Sequence, residues 1–236
     1  MNRRLTAVLL VAAAVLTNAA FTVLGTVFSY PDVLKEPTTD ILARFRDHQG
    51  PVTFWFAVMA VSAAMFAPIA VGVGRLSTHR AMRLAVPAGI AAAAVQVVGL
   101  SRWPLLVPRF AADASSSDPV VAAAGRDAFE TAHLVLGNII GETFGYLFTA
   151  AWTLLVLVAL HRTLAGRWFT GLGAVSAVLI LAGVLSPLQV PVLDDANFVG
   201  YVLWSLWLIA FAVLLMRRPT SAVAATRDAA HARARV

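Results

Sequence analysis

The chain has 236 residues, 60% hydrophobic and 13% charged, where a soluble domain is nearer half apolar and a quarter charged, so its surplus apolar surface needs lipid as solvent. Cysteine is absent, which excludes disulfides, Cys-ligated zinc or iron–sulfur sites, thiol redox chemistry and palmitoylation. The net charge of +6 is mostly arginine and comes with no zinc-finger spacing, RNP motif or basic DNA-reading helix, so it points to membrane orientation and anionic lipid and away from nucleic acid.

Arg3 and Arg4 followed by Leu5–Leu16 imitate a signal peptide, with Ala19 at the cleavage position. The apolar run continues through Phe21, Leu24 and Val27, long enough to cross a bilayer, and predicts a first span over 5–28 instead. In loop one, Pro37-Thr38-Thr39-Asp40 reads as a helix start and Gly50-Pro51 as a stop. Ile41, Leu42 and Phe45 share one side, so this short helix either lies on the membrane surface or packs on the bundle. Spans two and three follow at 52–73 and 84–100. Loop three holds the flexible stretch Ala114–Ser117, then Asp118-Pro119 as N-cap and first helical position. A helix from Pro119 runs through Gly125 straight into span four, 134–160. Spans five and six fall at 169–185 and 198–216.

The expected fold is therefore all-α: a polytopic bundle of about six transmembrane helices over 1–218, with short outer-surface helices in loops one and three. Residues 219–236 are too polar to span and read as a disordered basic tail that touches anionic lipid at the cytoplasmic face. Trp55, Trp103, Trp168 and Tyr30 fall near span ends, where interfacial aromatics sit, while Trp204 and Trp207 lie deeper and read as packing. Spans one, three and five each end with a glycine followed by a proline (Gly25–Pro31, Gly99–Pro104, Gly183–Pro187). Three repeated hairpins would produce that pattern, and so would chance, because proline commonly ends helices.

Charge sets the orientation. With the amino terminus inside, the cytoplasmic segments hold 12 of the 18 basic residues, Arg75, Arg80, Arg83, Arg162, Arg167, Arg217 and Arg218 among them, against the single acid Asp228. The outer segments hold ten of the 12 acids. The positive-inside rule then places both termini in the cytoplasm and the protein in a bacterial cytoplasmic membrane.

Span four carries the unusual polarity. Glu142 is the only acid inside an apolar window, and an ionisable group at membrane depth suggests function by default. Counting back from Leu160 places it just within the outer leaflet. Asn138 precedes it by four residues, on the same α-helical face. Gly137, Gly141 and Gly145 form a small-xxx-small ridge that admits a close neighbour. Glu130 and His133 are three apart and so within reach of one shared ligand, although two ligands make no metal site. On α-helical spacing His133 and Glu142 are half a turn out of phase. Partners are sought at the other outer ends: Arg102 with Trp103, Asp194-Asp195, and Asn18 in span one. Glu142 thus reads either as a structural carboxyl bonded to Arg102 or Asn18, or as a proton or substrate site. No HExxH, G-x-S-x-G, Walker or GxGxxG motif is present, and no catalytic residue, metal or cofactor is assigned.

Three function classes stay open. One is small-solute or proton transport through an outward-facing polar cavity around Glu142. Another is a non-enzymatic module packing with a membrane partner or with itself, which fits the glycine ridge. The last is an enzyme at the outer leaflet, which needs Glu130, His133 and Asp194 or Asp195 to converge. The segments Phe129–Tyr146 and Gly99–Pro104, together with the topology and the Ala/Val/Arg-rich composition, resemble six-span bacterial membrane proteins of unknown function common in actinobacteria. That resemblance covers most of the chain and implies no activity.

Overall fold

The computed structural model describes residues 2–161, 166–188 and 190–217. The basic tail 219–236, Arg162 and Arg218 lie outside the described residues. Among those described there is no strand, and six helical stretches are long and apolar enough to cross a membrane.

Helix α1 (Arg3–Phe28) starts on Asn2, whose side chain accepts the Leu5 N–H at 2.8 Å. It ends on Ser29, in the left-handed conformation at φ 56°. Helix α2 (Thr38–Asp47) occupies loop one. Ile41, Leu42 and Phe45 are all buried, so α2 packs on the bundle and does not lie on the lipid surface. Helix α3 (Gln49–Gly74) follows almost at once. The expected stop at Gly50-Pro51 is in fact the first turn of α3, where a proline removes only an N–H that has no helical partner.

Helix α4 (Arg80–Leu105) runs past both ends of its apolar window, because arginines at positions 80, 83 and 102 hide its true length from a hydropathy reading. The short α5 (Val107–Asp113) leads to α6 (Pro119–Ala132), capped by Asp118, which accepts the Val120 N–H at 2.8 Å. Helix α6 passes without a break into a π-helical segment, His133–Phe144, and then into α7 (Gly145–Leu160). The continuous stretch Pro119–Leu160 has 42 residues, about 60 Å at an α-helical rise, twice the hydrocarbon thickness. Helix α8 (Arg167–Ala182), a 3-10 turn (Gly183–Leu188) and α9 (Pro191–Arg217) complete the bundle.

The spanning helices pack in chain order, and α9 returns to α1, so the bundle closes as a ring. At the end where α1 begins, the interior is filled by Phe66, Trp152, Phe169, Trp207 and Phe211. Trp152 and Phe66 meet at 4.7 Å between ring centroids, and Phe169 stacks on Trp207 at 5.1 Å. At the opposite, loop-rich end, Phe28, Phe45, Phe56 and Phe129 surround Trp103. Trp103 is fully buried and stacks on Phe56 at 4.7 Å. It is thus a core residue and not the interfacial aromatic its position suggested, because α2 and its loop cover that end of α4. Trp168 is exposed, and Trp207 is fully buried.

Candidate functional site

The glycine ridge is where the site begins. Gly137, Gly141 and Gly145 face α4 of the same chain. A Cβ added to Gly99 would stand 2.6 Å from the Gly141 Cα, and one on Gly145 would stand 3.1 Å from the Gln96 side chain. The two backbones therefore touch, which only hydrogen in place of a side chain permits. The ridge is used within the chain, which withdraws the observation that favoured a partner-packing module.

The π segment changes the angular bookkeeping. Its hydrogen bonds run from i to i+5, and Thr143 Oγ1 likewise donates to the Asn138 carbonyl five residues back at 3.0 Å. At roughly 4.4 residues per π turn, the nine steps from His133 to Glu142 make about two turns. The half-turn offset expected from α spacing is removed, and both residues come to one side of the segment. Arg102 of α4 is the neighbour common to both, donating from Nη2 to His133 Nδ1 at 3.5 Å and interacting electrostatically with Glu142.

Arg102 is 5% exposed. Its Nη1 donates to the Gly99 carbonyl, and its guanidinium lies against the bare face of Gly137. The Nε is buried without a partner. The group is thus a bolt between α4 and the π segment, with Nη1 and Nη2 directed at atoms of the two.

Glu142 stands apart from these bonds. Among the described residues it makes no ion pair within 4.0 Å and no hydrogen bond, although it is half-buried. Asn18, one of its expected partners, is committed to the Ala14 carbonyl at 2.7 Å and to Ser205 Oγ at 2.8 Å. The electrostatic neighbours of Glu142 are Arg102, Asp194 and phenols. The chain has three tyrosines, and Tyr30, Tyr146 and Tyr201 all lie within electrostatic range of its carboxylate. Each is half-buried, as is Glu142. Tyr146 and Tyr201 lie 5.9 Å apart between ring centroids. Tyr201 hydrogen-bonds Thr149, whose Oγ1 also accepts from Gln96 Nε2 at 2.9 Å. Burial first, then the charge of Glu142, pushes the Tyr30 hydroxyl up to about 12, with Arg102 opposing.

The other expected site residues scatter. Glu130 accepts from Thr38 Oγ1 at 2.7 Å and so ties α6 to α2. His133 stacks on Phe129 and turns to Arg102. Asp194 is half-buried and pairs with Lys35 at 3.3 Å, at the rim between loop one and α9, and its charge also reaches Glu142. Asp195 is exposed, and the Asn138 side chain is half-buried. The convergence of Glu130, His133 and Asp194 or Asp195 that an outer-leaflet enzyme needs does not occur. Among the described residues no three histidines or acids are placed to share a metal.

A family model described as a domain of unknown function, DUF4386, matches residues 5–212, most of the chain and all six spanning stretches. The chain belongs to the DUF4386 family. Neither a comparison with curated proteins nor one with solved structures found a match. The chemistry of this DUF4386 domain therefore rests on its own residues. Sequence reasoning found Glu142 and Arg102 but missed the tyrosines as a group. The signal was there: all three lie toward the loop-rich half of the bundle.

Below the tyrosines the polarity continues to mid-bundle. Thr153 accepts from Trp204 Nε1 at 2.8 Å, and Thr17 and Ser62 share a hydrogen bond at 2.6 Å. It stops at the aromatic fill of Trp152 and Trp207. A surface groove lined by Thr26, Ser29, Glu36, Asp40, Arg44 and His48 lies near the same end. Its arginine is already satisfied by Ser29 at 2.9 Å and Glu36 at 3.4 Å.

Proposed function

We propose that this multi-pass membrane protein moves a small solute or protons, with Glu142 as the binding carboxylate in a polar cavity at the loop-rich end. One observation carries the reading: half-buried Glu142 has no protein group bonded to it and lies within electrostatic range of three phenols. A carboxylate kept for structure would be bonded, because an unpaired polar group inside a membrane bundle costs free energy that a partner recovers. The hydrogen-bonded residues from Tyr201 through Thr149 to Gln96 extend the polar lining toward mid-membrane. The tryptophans below them close the opposite side, so the site faces the loop-rich end in this conformation.

The same reading places the protein in a bacterial cytoplasmic membrane with both termini in the cytoplasm. Among the described residues, Arg3, Arg4, Arg75, Arg80, Arg83, Arg167 and Arg217 gather at the loop-poor end without an acid, which supports that orientation and contact with anionic lipid there.

The test is electrical. Purified protein is reconstituted into liposomes on a solid-supported membrane, and amines, amino acids, sugars and organic acids are applied in turn, with and without a pH step. At least one class should evoke a current that Glu142→Gln abolishes. No response to any class, or responses unchanged in Glu142→Gln, would refute the proposal.

A further inference from the structure

We infer that the ligand of the Glu142 site is a small organic cation bearing an ammonium group; this rests on reading that site as a binding site and names what it takes.

The charges around Glu142 argue for it. Glu142 and Asp194 lie within electrostatic range of each other. The cations nearby are turned elsewhere. Arg102 sends its donors to the Gly99 carbonyl and to His133, with the rest of the guanidinium covered by Gly137. Lys35 is held at the surface between Asp194 and Asp32 at 3.3 and 3.5 Å. An anion beside Glu142 would meet two carboxylates, while the one unpartnered donor of Arg102, its Nε, is buried against Gly137. A neutral solute would leave the Glu142 charge without a contact partner. A cation supplies the missing partner.

The tyrosines fit the same chemistry. A phenol ring presents a negative face that attracts an ammonium group, most strongly where water is excluded. Tyr30, Tyr146 and Tyr201 come from three separate elements, the loop after α1, α7 and α9. The fold thereby brings every tyrosine of the chain within electrostatic range of one carboxylate. Tyr30 meets Phe21 and Phe56 edge-on at 5.5 and 5.2 Å, and Phe21 meets Phe198 of α9 at 5.7 Å, which extends the aromatic wall toward the rim. Carboxylate at the centre and rings at the side are the two elements that recognise an alkylammonium.

The experiment is isothermal titration of the purified full-length protein in detergent. The probes are methylammonium, tetramethylammonium and choline, with 3,3-dimethylbutan-1-ol as the neutral isostere of choline and acetate as the anion. At least one cation should bind, choline over its isostere by about tenfold or more, the ratio expected from about 1.4 kcal/mol of charge and cation–π contact. Glu142→Gln should lose about the same factor. Tyr146→Phe should keep most of the affinity and Tyr146→Leu should lose it, a pair that decides the matter even where Glu142→Gln does not fold. Failure of all three cations to bind, equal binding of choline and its isostere, or equal affinity in Tyr146→Phe and Tyr146→Leu would overturn the inference. The two readings fail separately. Currents evoked only by neutral or anionic solutes and dependent on Glu142 would remove the cation and keep transport. Cation binding that depends on Glu142 but evokes no current would keep the cation and remove transport.

Discussion

Gly99 of α4 and Gly141 of the π segment meet backbone to backbone, with a Cβ on Gly99 brought to 2.6 Å from the Gly141 Cα and 3.0 Å from the Leu136 carbonyl oxygen. The obstacle is backbone on both sides, so no rotamer change relieves it. Gly99→Ala and Gly141→Ala should each cost about 1–3 kcal/mol or more, the range for overpacking. Gly171, on α8, has nothing within 4 Å of its Cβ position. Gly171→Ala should stabilise by about 0.5–1 kcal/mol through backbone entropy. Thermal melts of the three variants in one detergent check this, and a Gly99→Ala protein that melts with wild type would contradict the crossing.

Tyr30 provides a titration. Its hydroxyl is pushed from 10.0 to about 12, by burial first and then by Glu142. The folded protein therefore favours the neutral phenol. Stability from that preference is complete below pH 10.0 and is lost as pH rises through about 12. In Tyr146→Phe/Tyr201→Phe, Tyr30 is the last tyrosine, so tyrosinate absorbance reports it alone. The midpoint should fall near 12, and adding Glu142→Gln should move it down. A midpoint at 10.0 in folded protein would contradict the enclosure of Tyr30.

Orientation has its own check. Reporter fusions after Arg80 should read cytoplasm and fusions after Ser115 the opposite side, because Arg75, Arg80 and Arg83 form a loop without acids. An outside signal at Arg80 would reverse the bundle and move the Glu142 site to the cytoplasmic face.

Much of the bundle was legible because lipid imposes a simple rule on sequence: long apolar runs bounded by arginine. The cap at Asp118 and the run from Pro119 into span four were readable for a similar reason, as local signals obeyed locally. Trp103 was misread because its burial depends on α2 folding back over α4, a contact no window reveals. The relation of His133 to Glu142 was misread because α periodicity was assumed. The π segment lies where Gly137 and Gly141 pack on α4, and its extra residue per turn has no signature in hydropathy. Glu142 was found as the lone acid in an apolar run, but its lack of a bonded partner is a tertiary fact. So is the gathering of Tyr30, Tyr146 and Tyr201, which are distant in sequence and share no motif.

The account turns on Glu142 being kept for a ligand and not for the fold, and the melting temperature of Glu142→Gln beside wild type in detergent tests this most directly. Because no described residue bonds the carboxylate, its amide should leave the protein at least as stable as wild type while the solute-evoked current disappears. A loss of about 3–5 kcal/mol, the cost of breaking a buried charged pair, would contradict the account and return Glu142 to the framework of the bundle.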